Sequence, residues 1–189
     1  MFKTYMQTHM SDEELARAVQ QGTDDAFTIL FQRYEQKMLR YGQRFLYSYE
    51  DLEDAVQEVF IKTYRNIKSF DTDKKFSTWI YRIAHNTFIN VIKKNGREPV
   101  SFFDFDTFIS LPVRTEDTLE GLLDTKESTE KIVDRMKQLS PKYREVLILF
   151  YLEELGYKEI ADVLSIPIST VGVRIARAKA QLKKIVSPK

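Results

Sequence analysis

The chain has 189 residues, 43% of them hydrophobic and 30% charged, with a formal net charge of +1. A chain of this size forms one domain or two small ones. It has no cysteine and only two histidines, His9 and His85, which excludes disulfides and thiolate metal sites and leaves metal catalysis few ligands; no metal and no cofactor are expected. The longest apolar run, Val146 to Leu152, is far too short to cross a bilayer, and the first residues lack the apolar stretch of a secretion signal, so a cytoplasmic protein is expected.

Ser11 followed by Glu14 is a capping-box pattern that predicts the start of a first helix. Gly22 predicts a break, and a second helix is expected from Asp24 to Phe45 with Phe27, Leu30, Phe31, Tyr34 and Met38 on one side. The third is expected from Tyr49 to Ile67. At about 100° per residue, Leu52, Ala55, Val56, Val59, Phe60, Tyr64 and Ile67 fill one arc and predict its core face. Asp54, Gln57, Glu58 and Ile61 cluster opposite. Routine solvated residues account for three of these. The isoleucine among them has the character of an interface anchor, although single exposed apolar residues are common.

A polar loop leads to a fourth helix, Phe76 to Lys94. From Lys74 to Arg97 there are six basic residues and no acid, so the near-neutral net charge conceals a segregated distribution. Phe76, Ile80, Ile83, Ala84, Thr87 and Val91 form the expected buried stripe. Arg82, His85, Asn86, Ile89 and Lys93 lie on the other side, flanked by Trp79 and Asn90. Arg and Lys can hold phosphates, Asn and His can read base edges, and an aromatic ring can stack on an unpaired base. A solvated basic helix with a half-buried tryptophan would share this pattern, so both readings stand. No window alternates with strand period, and the fold class expected is all-α.

Residues 96–127 carry Gly96, Pro99 and Pro112 and are acidic, which marks a linker between a domain at 1–95 and a second at 128–189. Phe102, Phe103, Phe105 and Phe108 are unusual in a spacer. They either pack back on the first domain or bind a partner. In the second domain Pro141 suits the first turn of a helix that Gly156 is expected to end. A short helix from Tyr157, a turn at Ser165–Pro167 and a basic last helix from Ile168 have the sequence shape of a helix-turn-helix. On that last helix Val171, Ile175, Ala178 and Leu182 are expected inside, and Thr170, Val173, Arg174, Arg177, Gln181 and Lys184 outside. The start of the second helix of such a motif enters the major groove, so Ser169, Thr170, Val173 and Arg174 are candidates to read bases, with Arg177 and Lys184 on phosphates.

Taken together, residues 52–86 and residues 139–182 resemble the two recognition segments of the extracytoplasmic-function sigma factors, the small promoter-recognition subunits of bacterial RNA polymerase. The resemblance covers nearly the whole chain. It implies two helical domains joined by an acidic linker, core polymerase and promoter DNA as partners, and no catalytic residue. It also implies docking on the polymerase clamp through Asp54, Gln57, Glu58 and Ile61. By the same resemblance Lys74, Lys75, Trp79, Arg82, His85, Asn86 and Lys93 serve to open the −10 element and capture an extruded base, which requires a pocket. An anti-sigma protein, often membrane-bound in the family, is a further expected partner. The chain departs from the family pattern at Gly172, where a lysine is usual, and at Asn90 with Lys93 and Lys94, where an acid and an arginine-rich tail are common.

Three other readings are compatible with parts of the chain. An autonomous dimeric helix-turn-helix regulator would explain residues 128–189 but leaves the Asp54–Ile61 face and the Trp79 helix without a task. A helical hydrolase would have only a single pairing, Glu53 or Glu58 with His85, to work with. A degenerate homologue that sequesters a partner has Gly172 in its favour.

Overall fold

The computed structural model describes residues 9–43, 45–46, 48–94, 135–136 and 138–186. These form seven α-helices and one 3-10 turn, with no strand among the described residues, as the all-α expectation requires. The chain divides into two compact units, Met1–Pro99 and Val100–Lys189. The expected linker at 96–127, with its four phenylalanines, lies outside the described residues, and so do residues 128–134.

In the first unit, α1 spans Asp12–Gln20, α2 Asp24–Gly42, α3 Tyr49–Asn66 and α4 Phe76–Lys94, with the 3-10 turn at Ile67–Ser69. The expected capping box starts α1: Ser11 Oγ accepts from the Glu14 N–H at 3.1 Å, and the Ser11 N–H donates to Glu14 Oε2 at 2.7 Å. Ser48 caps α3 in the same way through the Asp51 N–H. The helices close around a core that includes Leu15, Ile29, Leu30, Met38, Val59 and Ile80.

Two faces differ from expectation. Tyr64 is 47% exposed rather than in the core of α3, and Thr63 takes the buried position. The Thr63 hydroxyl satisfies itself by donating to the Val59 carbonyl at 2.8 Å, which makes its burial inexpensive. The Tyr64 ring instead lies edge-on to Phe27 at 4.9 Å and its hydroxyl donates to Asp24 at 3.1 Å, so it bridges α2 and α3 at the surface. On α4, Tyr81 and Phe88 are fully buried, while Ile83 and Val91 are only half-buried. The buried arc turns towards Tyr41 of α2, whose ring meets Tyr81 at 5.2 Å and Phe88 at 5.9 Å.

Helix α2 ends at Gly42, short of the expected Phe45. A Cβ at Gly42 would stand 2.5 Å from Leu52 Cδ1 and 3.0 Å from Phe88 Cζ, so three helices meet where only a glycine fits. Gly42→Ala is expected to destabilise the first unit by about 1–3 kcal/mol, the range for overpacking a filled core, read as a lowered midpoint of thermal unfolding.

In the second unit, α5 spans Pro141–Tyr151, α6 Tyr157–Leu164 and α7 Ile168–Val186. Helix α5 stops five residues before Gly156, because Glu154 turns the chain with φ of 54° and the Leu155 N–H closes on the Leu149 carbonyl at 2.9 Å. Gly156 starts the next helix instead, its N–H donating to Glu159 Oε2 at 2.6 Å. The turn between α6 and α7 passes through Ser165 in the left-handed region, φ 55°, and is closed by the Ile166 N–H on the Ala161 carbonyl at 3.1 Å. Val171, Ile175, Ala178 and Leu182 face the core as expected. No helix among the described residues is long and apolar enough to cross a membrane.

Candidate nucleic-acid interface

Three surfaces carry the side chains singled out from the sequence. On α3, Asp54, Gln57, Glu58 and Ile61 are all exposed, with Ile61 at 44%. Glu58 faces Lys62 at 3.4 Å one turn away, and Lys62 Nζ also donates to Thr87 Oγ1 of α4 at 3.2 Å. The acidic face is therefore anchored to the neighbouring helix rather than fraying, while an exposed i, i+4 pair itself contributes only a few tenths of a kcal/mol.

On α4 and the residues before it, Lys74, Lys75, Arg82, Asn86 and Lys93 are exposed. Lys75, Trp79, Arg82, Asn86 and Lys93 follow at helical spacing and form one stripe, about 27 Å long at 1.5 Å per residue. Lys74 Nζ lies 3.5 Å from Asp71. The Trp79 indole is half-buried against Phe70, 5.0 Å between centroids, and Phe76, 5.8 Å. Those contacts fix the ring where the loop enters α4, which is what a stacking platform needs. His85 sits at the edge of the stripe. Its Nδ1 is 3.5 Å from the Tyr41 hydroxyl and its ring lies 6.1 Å from that of Phe45, so the imidazole leans on α2.

On α7 the expectation holds for some residues and fails for one. Ser169 and Lys184 are exposed, and Thr170, Val173 and Arg177 are half-buried. Arg174 is only 3% exposed, so its expected outward, base-reading position is corrected. It stands three residues from Val171 and four from Ala178, on the buried stripe itself. Helix α5, which packs on α7, buries a second charged residue, Glu145. Ile168, 53% exposed at the start of α7, was not singled out from the sequence. Its position beside Ser169 at the start of a helix-turn-helix second helix was the available signal.

Gly172 is buried, and a Cβ there would meet Tyr157 Cε2 at 3.7 Å, an ordinary contact. No steric constraint requires a glycine. Gly172→Ala is expected to stabilise the second unit by about 0.5–1 kcal/mol through helix propensity, seen as a raised unfolding midpoint.

Two helical units, one with a basic aromatic-bearing helix and the other a helix-turn-helix, define a class of protein that handles nucleic acid. Residues 30–98 match the family described as Sigma-70 region 2, and residues 129–182 match Sigma-70, region 4. The chain is 34% identical over 188 residues to an ECF RNA polymerase sigma-E factor of Haemophilus influenzae, covering 97% of this chain and 99% of the relative. It is 35% identical over 179 residues to the ECF RNA polymerase sigma factor SigW of Bacillus subtilis, covering 89% and 92%. Among solved structures, CnrH in complex with the cytosolic domain of CnrY shares the fold with a TM-score of 0.65 at 23% identity, covering 93% of this chain and 96% of that one. The sigma factor RpoE of Bartonella quintana, in complex with the anti-sigma factor NepR, has a TM-score of 0.62 at 21% identity, covering 85% and 96%. The chain belongs to the extracytoplasmic-function sigma factors of the sigma-70 family, which bind core RNA polymerase and direct promoter-specific initiation of transcription.

Proposed function

We propose that this sigma factor divides its work among the three surfaces above and contributes no catalytic group, phosphodiester formation belonging to the polymerase. The α3 face of Asp54, Gln57, Glu58 and Ile61 docks on the clamp of the largest polymerase subunit. The stripe from Lys74 to Lys93 takes the non-template strand of the −10 element, with Trp79 beside the extruded base and the lysines, Arg82 and Asn86 along the backbone. The α7 surface of Ser169, Thr170, Val173, Arg177 and Lys184 meets the −35 element as duplex; Arg174 supports that surface from within. Residues 1–95 and 128–189 are the two recognition domains, with 96–127 as the tether. The family resemblance makes an anti-sigma partner part of this reading, and a cytoplasmic location follows from working on the polymerase.

The observation that carries the −10 assignment is the single exposed stripe on α4, with its one tryptophan fixed by Phe70 and Phe76. The test is to mix the purified chain with bacterial core polymerase and map transcripts initiated on fragmented genomic DNA of its source. Discrete start sites sharing two upstream motifs are the expected result. Binding to core without specific starts would instead mark a degenerate, sequestering homologue.

A further inference from the structure

The loop that feeds the α4 stripe is held from a distance by α1. Glu13, Arg17 and Gln20 are spaced by four and three residues and so share one face of that helix. Glu13 Oε1 accepts the backbone N–H of Phe76, the first residue of α4, at 2.9 Å. Arg17 donates Nη2 and Nε to Thr72 Oγ1 at 2.9 and 3.3 Å, and its Nη2 lies 4.0 Å from Asp73. Gln20 Nε2 donates to two carbonyls, those of Ile67 and Phe70, each at 2.8 Å. From its first turn α1 is also tied to α2: Asp12 accepts from Arg33 Nη1 and from the Tyr34 hydroxyl, both at 2.6 Å, and Arg33 Nη2 donates to the Met10 carbonyl at 3.0 Å. Leu15, Ala16 and Val19 bury the inner face.

The segment so held, Ile67 to Phe76, carries Lys74 and Lys75, and its two phenylalanines support Trp79. We infer that α1 is a positioning element for strand opening: Gln20 and Glu13 hold backbone groups of this segment and Arg17 holds its Thr72 side chain, so that its lysines and the Trp79 ring meet the unpaired strand already in place. Ordering a polar segment on binding opposes binding, and an element that orders it beforehand removes that opposition. The inference rests on the assignment of the α4 stripe to the −10 element.

The test uses the full chain in holoenzyme with core polymerase on a promoter fragment recovered by the transcript mapping above. Gln20→Glu keeps the side-chain shape but sets a carboxylate against two carbonyl oxygens. Arg17→Ala and Thr72→Val each remove one half of the second contact, and Thr72→Ser retains its acceptor. Permanganate reactivity of the −10 thymines is expected to fall about tenfold for Gln20→Glu, and to fall equally for Arg17→Ala and Thr72→Val. Thr72→Ser and the affinity for core should remain at the parent level. Trp79 is the only tryptophan, so its emission in the free chain should shift to the red in the variants that release the segment. A double variant, Lys74→Ala with Lys75→Ala, separates the two ideas. Reduced melting there with parental melting in the α1 and Thr72 variants overturns the role of α1 alone. Parental melting in the lysine variant overturns the −10 assignment and this inference with it. Loss of core binding in step with melting would make α1 a general folding element and likewise overturn the inference.

Discussion

Glu58→Lys is expected to weaken association with core RNA polymerase by more than about a thousandfold while leaving the thermal unfolding of the chain within about 0.5 kcal/mol of the parent. Glu58 is exposed and its partner in the fold, Lys62, is a surface contact one turn away, so the fold has little invested in it. The docking surface proposed for α3 has more. A reversed charge in a docked, desolvated surface places like charges together, at a cost of several kcal/mol, and each 1.4 kcal/mol is a factor of ten in affinity. The new lysine would also stand one turn from Lys62, adding repulsion to a face that was acidic. Glu58→Gln should lose far less, because it removes a charge without reversing one. Fluorescence titration of labelled core with each variant measures both. Parental affinity for Glu58→Lys would remove α3 from the docking surface and leave Ile61 as an ordinary exposed side chain.

Arg174→Ala is expected to unfold the second unit rather than to alter which −35 sequence it prefers. Arg174 on α7 and Glu145 on α5 are buried charges of opposite sign on two helices that pack together. Truncating a buried charged side chain leaves the groups packed around it without the charge they accommodate, and typically costs about 3–5 kcal/mol. That is most of the stability of a small domain. Circular dichroism of the full chain should show the loss of one cooperative unfolding transition with the other retained. Capture of −35 duplex should vanish for every sequence equally. A folded Arg174→Ala protein with changed preference at one base pair would restore this arginine to the DNA interface.

The sequence alone carried the elements whose signals are local. The capping box at Ser11, the limits of α4, the helix-turn-helix and the exposed Asp54–Ile61 face all follow from spacing and cap chemistry within a few turns of chain, and the structure has each of them. Periodicity says which residues share a face, not how wide the covering neighbour is. Hence Tyr81 and Phe88 are buried where Tyr41 covers them, and Tyr64 reaches the surface while Thr63, satisfied by its own helix, goes inside. Residue type also misled where it conflicted with spacing. Arg174 was expected outside, although its position lies on the stripe of Val171 and Ala178, and the structure buries it there. The hold of Glu13, Arg17 and Gln20 on the loop before α4 had no signal at all in the sequence, since these contacts join residues 47 to 63 positions apart. Local backbone energetics determined the helices of this protein; long-range packing alone decided which charges are buried and what holds the loop before α4.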